Sequence, residues 1–182
     1  HPEYALDLHL AAPVISSVPL QDLEFQTNGA MREGSTSGDF QLMFSSSTEE
    51  GQIIHSGTYR AAEEAASIRT TFFELTSSGR TLNLDKPFAI DIDLSGLSVN
   101  MDTLRLESGD GAALELAATY ADSLNQRGHL SGQDLDLTAI QDLILGEAWV
   151  KGILSGSMRF NRSDTTLAAL GNLTLSQLEY QD

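Results

Sequence analysis

The sequence lacks cysteine and is poor in basic residues. Its 182 residues contain no cysteine, which excludes disulfide frameworks, thiol catalysis and zinc–thiolate sites together. Lys and Arg number 10 against 26 Asp and Glu, giving a formal net charge of −16. Because Lys and Arg neutralise phosphates, this balance argues against nucleic acid as a partner and against an electrostatic grip on anionic membranes.

Long apolar runs and catalytic motifs are also missing. No apolar run reaches the roughly 18 residues of a membrane-spanning helix, and no signal peptide is visible. The 4 histidines have no His-x-His or His-Glu-x-x-His spacing, and neither a Gly-x-Ser-x-Gly elbow nor a Walker loop occurs. We therefore expect no enzyme activity, no metal site and no cofactor.

What the sequence does contain is alternation of apolar and polar residues. Leu6, Leu8 and Leu10 alternate with Asp7 and His9, and other segments repeat this pattern. Such alternation is typical of a strand with one buried face. Parallel strands buried on both faces would be continuously apolar, so the pattern predicts an all-β fold with an antiparallel or solenoidal sheet. We expect residues 1–182 to form a single module. Because the pattern is already under way at the first residue, we expect that module to be a fragment of a longer chain.

Glycine- and serine-rich segments separate the predicted strands. Asn28-Gly29 is a hairpin signal, and residues 34–38, 45–51, 77–79 and 108–111 are typical of loops. Each such segment is rich in residues that favour turns over strand interiors. The spacing of these signals favours a sandwich, a barrel or another all-β architecture.

Three further segments interrupt the alternation. Residues 14–18 lie between two prolines and predict a linker or an edge strand. Residues 61–66 have helical propensity but are short, so a single turn or a loop is expected. Residues 138–145 predict one short amphipathic helix that ends at Gly146 and caps the β core.

Aspartates recur on the polar side of the predicted strands. Asp91 with Asp93, and Asp134 with Asp136, place carboxylates opposite the apolar positions. A solvated aspartate keeps its ordinary pKa and has no reason to act as an acid at neutral pH. We expect these residues to form the solvated outer surface.

An apolar face of this kind can be covered in two ways. Two faces can close as the filled core of an extracellular adhesion or carbohydrate-binding sandwich, with ligands at loops such as residues 34–38 or near Trp149. Alternatively, one sheet can curl without closing and leave an aliphatic groove that suits fatty acyl chains. The composition is compatible with both.

Residues 124–137 and 150–160 resemble the TamB family, within the wider AsmA-like group. The chain reads LNQRGHLSGQDLDL, enters the predicted short helix, continues as VKGILSGSMRF, and closes with the strand GNLTL at residues 171–175. Upstream, LNLDKPF at residues 82–88 is similar to the family's strand and turn. Residues 161–164 depart from it, because the family often has a proline-containing turn there.

The resemblance implies a fold and a function. The fold would be an elongated, curled sheet (a β-taco, or open barrel-like sheet) around a hydrophobic interior groove. The function would be lipid transport and outer-membrane assembly in the periplasm, with the parent chain anchored in the inner membrane of a Gram-negative bacterium. The implied partners are phospholipid acyl chains, neighbouring modules of the same chain and a TamA-type outer-membrane barrel.

The implied lipid groove has no catalytic residues. Its lining is expected from the inward alternating positions, which are Leu6, Leu8, Leu10, Phe40, Leu42, Phe44, Ile90, Ile92, Leu94, Leu114, Leu116, Met158, Phe160, Leu173 and Leu175.

Overall fold

The computed structural model describes residues 2–11, 14–15, 18–46, 51–77, 79–122, 125–138, 150–163 and 166–180. Nearly all of these residues are in strands, which confirms the predicted all-β fold. The strands are β1 (Glu3–Ala11), β2 (Val14–Ile15), β3 (Val18–Arg32), β4 (Ser35–Ser46), β5 (Gln52–Ala62), β6 (Ala65–Ser77), β7 (Arg80–Leu84), β8 (Phe88–Asp93), β9 (Ser98–Glu107), β10 (Ala113–Asp122), β11 (Asn125–Asp136), β12 (Val150–Ser163) and β13 (Thr166–Tyr180).

The 13 strands form one antiparallel sheet. Its order is β1-β3-β4-β5-β6-β7-β9-β10-β11-β12-β13, with β2 on β3 and β8 between β6 and β9. Most neighbours in the sheet are neighbours in sequence, as expected when strands are joined by hairpins; the exceptions are the pairs β1/β3, β6/β8 and β7/β9. One continuous sheet differs from the two packed sheets of a sandwich, so the filled-core alternative is not the architecture observed.

Strands β7 and β8 are two halves of one broken strand. Both pair with β6 on one side and β9 on the other, at opposite ends of those strands. Pro87 lies in the break and has no N–H for the sheet ladder. The Asp85 N–H still donates to the Arg105 carbonyl at 2.9 Å, so the sheet remains connected across the break.

Most large apolar side chains share one face of the sheet, with exceptions on the other face such as Phe72 and Leu170. Cross-strand partners lie on the same face, and one row of partners runs from β1 to β7 through Leu10, Leu23, Phe44, Ile53, Leu75 and Leu82. A second row runs from β7 to β13 through Leu84, Leu106, Leu114, Gly132, Gly156 and Leu173. The sheet therefore has one apolar face and one polar face.

The apolar face curls around a cavity. Residues from β6 through β13, including Leu75, Leu114 and Leu173, line the same cavity of about 410 Å³. With strands about 4.8 Å apart, six strand spacings would separate β6 from β13 by roughly 29 Å if the sheet were flat. Arg80 on β7 and Asp136 on β11 are three strand spacings apart, roughly 14 Å in a flat sheet, yet their side chains contact at 3.5 Å, so the sheet bends back towards itself. Register shifts at Leu116/Ala118, Gly132/Leu135 and Lys151/Ile153 mark bulges, which bend strands in this way.

Few apolar residues in the described ranges are fully buried. Phe88, Leu106, Ala112 and Leu135 make up the buried apolar core, while leucines on β1 and β13 stay exposed. The two edge strands, β1 and β13, therefore present their apolar faces to solvent.

Several turn predictions are wrong. Asn28 and Gly29 lie inside β3 rather than in a hairpin, and the turn falls at Glu33 and Gly34, where Gly34 has a φ of 71°. Residues 35–38 belong to β4 instead of a loop. Gly29 pairs with Tyr4 on one side and Gly38 on the other, and an added Cβ would meet the Ser37 carbonyl oxygen and the Tyr4 hydroxyl oxygen.

The other interrupting segments have mixed outcomes. Val14 and Ile15 form β2 and pair with the start of β3, so this stretch is an edge strand rather than a linker. Residues 61–66 form the end of β5, a bend at Glu63 and Glu64, and the start of β6. The turn at residues 108–111 is as predicted. Of the predicted helix, Thr138 is helical together with the preceding residue, and residues 139–145 lie outside the described part of the chain.

Candidate functional site

The predicted groove residues, apart from Leu94, lie on the apolar face. Cross-strand pairing connects them directly or through shared partners; Met158, for example, faces Leu130, which faces Leu116. Leu94 is not on a strand, because the chain turns at residues 94–97 after β8. In that turn the Asp93 carboxylate accepts the N–H groups of Ser95 at 2.9 Å and Gly96 at 3.0 Å.

The cavity is lined by aliphatic side chains from several strands. Of the predicted groove residues, only Leu114, Met158 and Leu173 are among the described residues that line it. The apolar lining residues that the sequence did not single out are Leu75, Leu82, Ala112, Leu130, Leu135 and Leu154. We call the apolar concave face with this cavity the trough. Alternation would have found most of these leucines, but the bulge between Gly132 and Leu135 shifts the period.

A polar pair interrupts the apolar face in its amino-terminal half. His55 Nε2 and Thr70 Oγ1 share a hydrogen bond of 2.8 Å, and Thr70 is fully buried. The His55 ring meets Phe40 edge-on at 5.0 Å between ring centroids and tilts against Phe73 at 5.4 Å. Burial among these rings lowers the pKa of His55 below its ordinary value, because desolvation disfavours the charged form. His55 is therefore neutral at pH 7.

Charged groups collect at one end of the trough. Arg80 starts β7, Asp110 lies in the turn between β9 and β10, and Asp136 ends β11. The guanidinium of Arg80 contacts Asp110 at 3.6 Å through Nη1 and Asp136 at 3.5 Å through Nε. We call these three residues, with Asp134, the rim. The prediction that Asp136 lies on the solvated outer surface is wrong, because its half-buried side chain lines the cavity beside Arg80. No local signal in the sequence joins Arg80 to residues so distant in the chain.

The opposite face carries ion pairs and solvated acids. Arg105 contacts Glu107 at 2.6 Å and Glu115 at 3.7 Å, and His129 lies 3.5 Å from Glu115. Asp91 is exposed on this face. These exposed pairs each contribute little to stability and are typical of a solvated surface.

Metal-ligand clusters and membrane-spanning helices are both absent from the described residues. No group of three or more His, Asp or Glu side chains is placed to hold a metal ion in the described ranges. Within those ranges, no helix has the length and apolar character needed to cross a bilayer. Trp149, the aromatic residue considered for sugar stacking, lies outside the described residues.

Comparisons with known proteins identify no relative. No family model, no characterised protein and no solved structure matches the chain. The resemblance to the TamB family therefore stays a prediction, and the function has to be argued from the trough and its rim.

Proposed function

We propose that this chain is a module of a periplasmic, bridge-like lipid transporter that holds acyl chains in its trough. The observation that carries the proposal is the aliphatic cavity of about 410 Å³, to which strands from β6 to β13 contribute leucines. Fatty acyl chains match such a surface because they have no polar group to satisfy inside it. Burying one methylene contributes about 0.8 kcal/mol, so roughly 16 carbons contribute on the order of 10 kcal/mol before ordering costs.

The exposure of the trough beyond the cavity supports the same function. Leu6, Leu8 and Leu10 on β1 are 54%, 41% and 42% exposed, and Leu173 and Leu175 on β13 are 65% and 51% exposed. A closed, self-sufficient domain would bury such rows of leucine, since contiguous exposed apolar surface marks an interaction site. Acyl chains sliding along the trough would cover these rows while the lipid headgroups stay in water.

The two outer strands support the proposal that the trough continues into neighbouring modules. Within the described residues, β1 pairs only with β3, and β13 pairs only with β12. No described strand pairs with the outer backbone groups of β1 and β13, and an exposed edge of this kind can recruit another strand. The TamA-type barrel partner and the outer-membrane assembly role rest on the sequence resemblance alone.

The carbohydrate-binding alternative has less support. Residues 34–38, one of the loops that would have held a polar ligand, are mostly strand β4. A sandwich would also have closed its interior between two sheets.

Lipid uptake by the purified chain tests the proposal. We expect lipid to copurify with the chain, or to transfer to it from vesicles, and to be recovered by extraction and mass spectrometry. Leu130 lines the cavity and is 38% exposed, so Leu130→Asp places a charge in the trough at a partly open position. It should reduce bound lipid at least tenfold, because a carboxylate is costly to hold against apolar chains.

The matched control is Thr119→Asp, which adds the same charge on the polar face of β10, opposite Arg127. This variant should bind as much lipid as the wild type. Equal lipid binding by folded Leu130→Asp and wild type would refute the trough as the binding site.

A further inference from the structure

Arg80 lies where two cavities of opposite character meet. The first is the aliphatic cavity of the trough, of about 410 Å³. The second, of about 380 Å³, is lined by polar groups that include Asp110, Asp134, Ser176 and Gln177. Arg80 and Ala112 line both cavities. An apolar space and a polar space that share a wall form an amphipathic site.

The charges at this junction have both signs, with an excess of acid. The Arg80 guanidinium contacts two carboxylates, and Asp134 adds another carboxylate to the wall of the polar cavity. The Ser108 hydroxyl and the Ala112 N–H donate hydrogen bonds to Asp110, which lowers the pKa of that carboxyl, so it is charged at neutral pH. Among the described residues that line these two cavities, Arg80 therefore stands with three carboxylates, those of Asp110, Asp134 and Asp136.

The excess of negative charge around Arg80 favours some phospholipid headgroups over others. A headgroup with only a phosphate could pair with Arg80 but would also face the surrounding carboxylates. A headgroup that carries a phosphate and an ammonium group can complement both signs. Its phosphate would pair with the guanidinium, which suits phosphate oxygens well, and its ammonium would pair with Asp110 and Asp134.

We propose that the rim is a headgroup site for zwitterionic phospholipids, with the phosphate at Arg80, the ammonium at Asp110 and Asp134, and the acyl chains in the adjoining aliphatic cavity. This inference rests on the proposed function and adds to it a preference among lipids. Arg80 contacts both Asp110 and Asp136, so phosphate binding would exchange one anionic partner of the guanidinium for another.

A competition between two lipids tests this site. The purified chain is incubated with vesicles containing equal amounts of phosphatidylethanolamine and phosphatidylglycerol with identical acyl chains. It is then separated from the vesicles, and the bound lipids are extracted and quantified. Because both lipids are on the same vesicle, repulsion between the acidic protein and the vesicle affects them equally. We expect bound lipid to be enriched at least fivefold in phosphatidylethanolamine.

Two variants locate the preference at the rim. Asp110→Asn should bring the enrichment to within twofold of unity, because the ammonium loses a partner and the phosphate of the anionic lipid loses a repulsive neighbour. Arg80→Gln should lower the recovery of both lipids at least threefold. The matched controls are Glu115→Gln and Arg105→Gln, which make the same changes of charge in an outer-face ion pair of 3.7 Å. Both controls should keep the wild-type ratio and recovery.

The outcomes separate this site from the proposed function. Lipid binding without preference, or a preference that Asp110→Asn leaves intact in a folded protein, would overturn the headgroup site alone. Recovery of neither lipid with the wild type would overturn both. A loss of preference in Glu115→Gln equal to that in Asp110→Asn would show a dependence on net charge and would also overturn the site.

Discussion

His55 and Thr70 share a hydrogen bond of 2.8 Å on the apolar face of the sheet. Thr70 is fully buried, and the two residues lie on the neighbouring strands β5 and β6. A buried hydroxyl without a partner would be costly, so His55 satisfies Thr70 while its ring packs between Phe40 and Phe73. This pair places a titratable group in an otherwise apolar part of the trough.

The His55 pair predicts a loss of stability on mild acidification. Burial lowers the folded-state pKa of His55 below the ordinary value of 6.5. As the pH falls through 6.5, the unfolded chain therefore binds a proton at this histidine that the folded chain does not, which favours unfolding. The loss starts near pH 6.5 and continues down to the lower folded pKa; above pH 6.5 this group adds no pH dependence.

Urea unfolding between pH 7.5 and pH 5 measures this effect. The urea midpoint of the wild type should fall more steeply over this range than that of His55→Gln, whose amide can still bond Thr70 but does not titrate. The comparison removes the contribution of the carboxylates, which both proteins share. Parallel curves for the two proteins would contradict the prediction, and an NMR titration of the His55 ring gives the pKa directly.

Gly128 on β11 and Phe160 on β12 give a prediction about packing. They are cross-strand partners, and a Cβ at Gly128 would overlap the Phe160 ring. Gly128→Ala should therefore lower the free energy of unfolding by about 1–3 kcal/mol, the usual range for overpacking. In a Phe160→Ala background the same change should cost at least about 1 kcal/mol less, because the obstructing ring is gone.

Chemical denaturation of the two single variants and the double variant gives this interaction energy. Gly109→Ala is the control, since an added Cβ there meets no atom within 4 Å among the described residues. Its effect should stay within about 0.5 kcal/mol. Equal costs of Gly128→Ala with and without the Phe160 ring would mean that the ring does not occupy this space.

The positions on the apolar face could be predicted because the alternation of apolar and polar residues is visible within each strand. Leu6 and Leu116 lie on the same face, although they are on distant strands, because each strand between them is hydrogen-bonded to its neighbours and cross-strand partners share a face. Leu94 continues the same period in the sequence but lies in a turn. The turn forms because the Asp93 carboxylate accepts the Ser95 and Gly96 N–H groups. These hydrogen bonds compete with strand pairing, and the positions of apolar residues alone do not predict them.

Features that depend on partners distant in sequence were not predictable. Asn28-Gly29 is a strong hairpin signal by itself, yet Gly29 pairs with Tyr4 of β1 on one side and Gly38 of β4 on the other, so the segment lies inside the sheet. The rim is a similar case, because Arg80 and Asp136 meet only when the sheet curls. The sequence predicts a curled sheet. Which side chains meet at its end depends on the bulges that bend the sheet.

The last prediction concerns association between copies through the outer edge of β13, with which no described strand pairs. The strand has leucines on both faces, with Leu170 78% and Leu173 65% exposed, and residues 166–178 contain neither proline nor a charged residue. Natural edge strands normally carry prolines or charged residues, which prevent pairing with another chain. Because residues 166–178 have neither, this edge should add a strand from a second copy when no neighbouring module is present.

Leu173→Lys should weaken self-association at least tenfold, which corresponds to about 1.4 kcal/mol, as measured by sedimentation equilibrium. The control is Leu97→Lys, because Leu97 is 70% exposed but lies in the turn before β9, so this variant should associate like the wild type. A monomeric wild type at every concentration, or equal weakening by both variants, would show that the β13 edge is not an association surface.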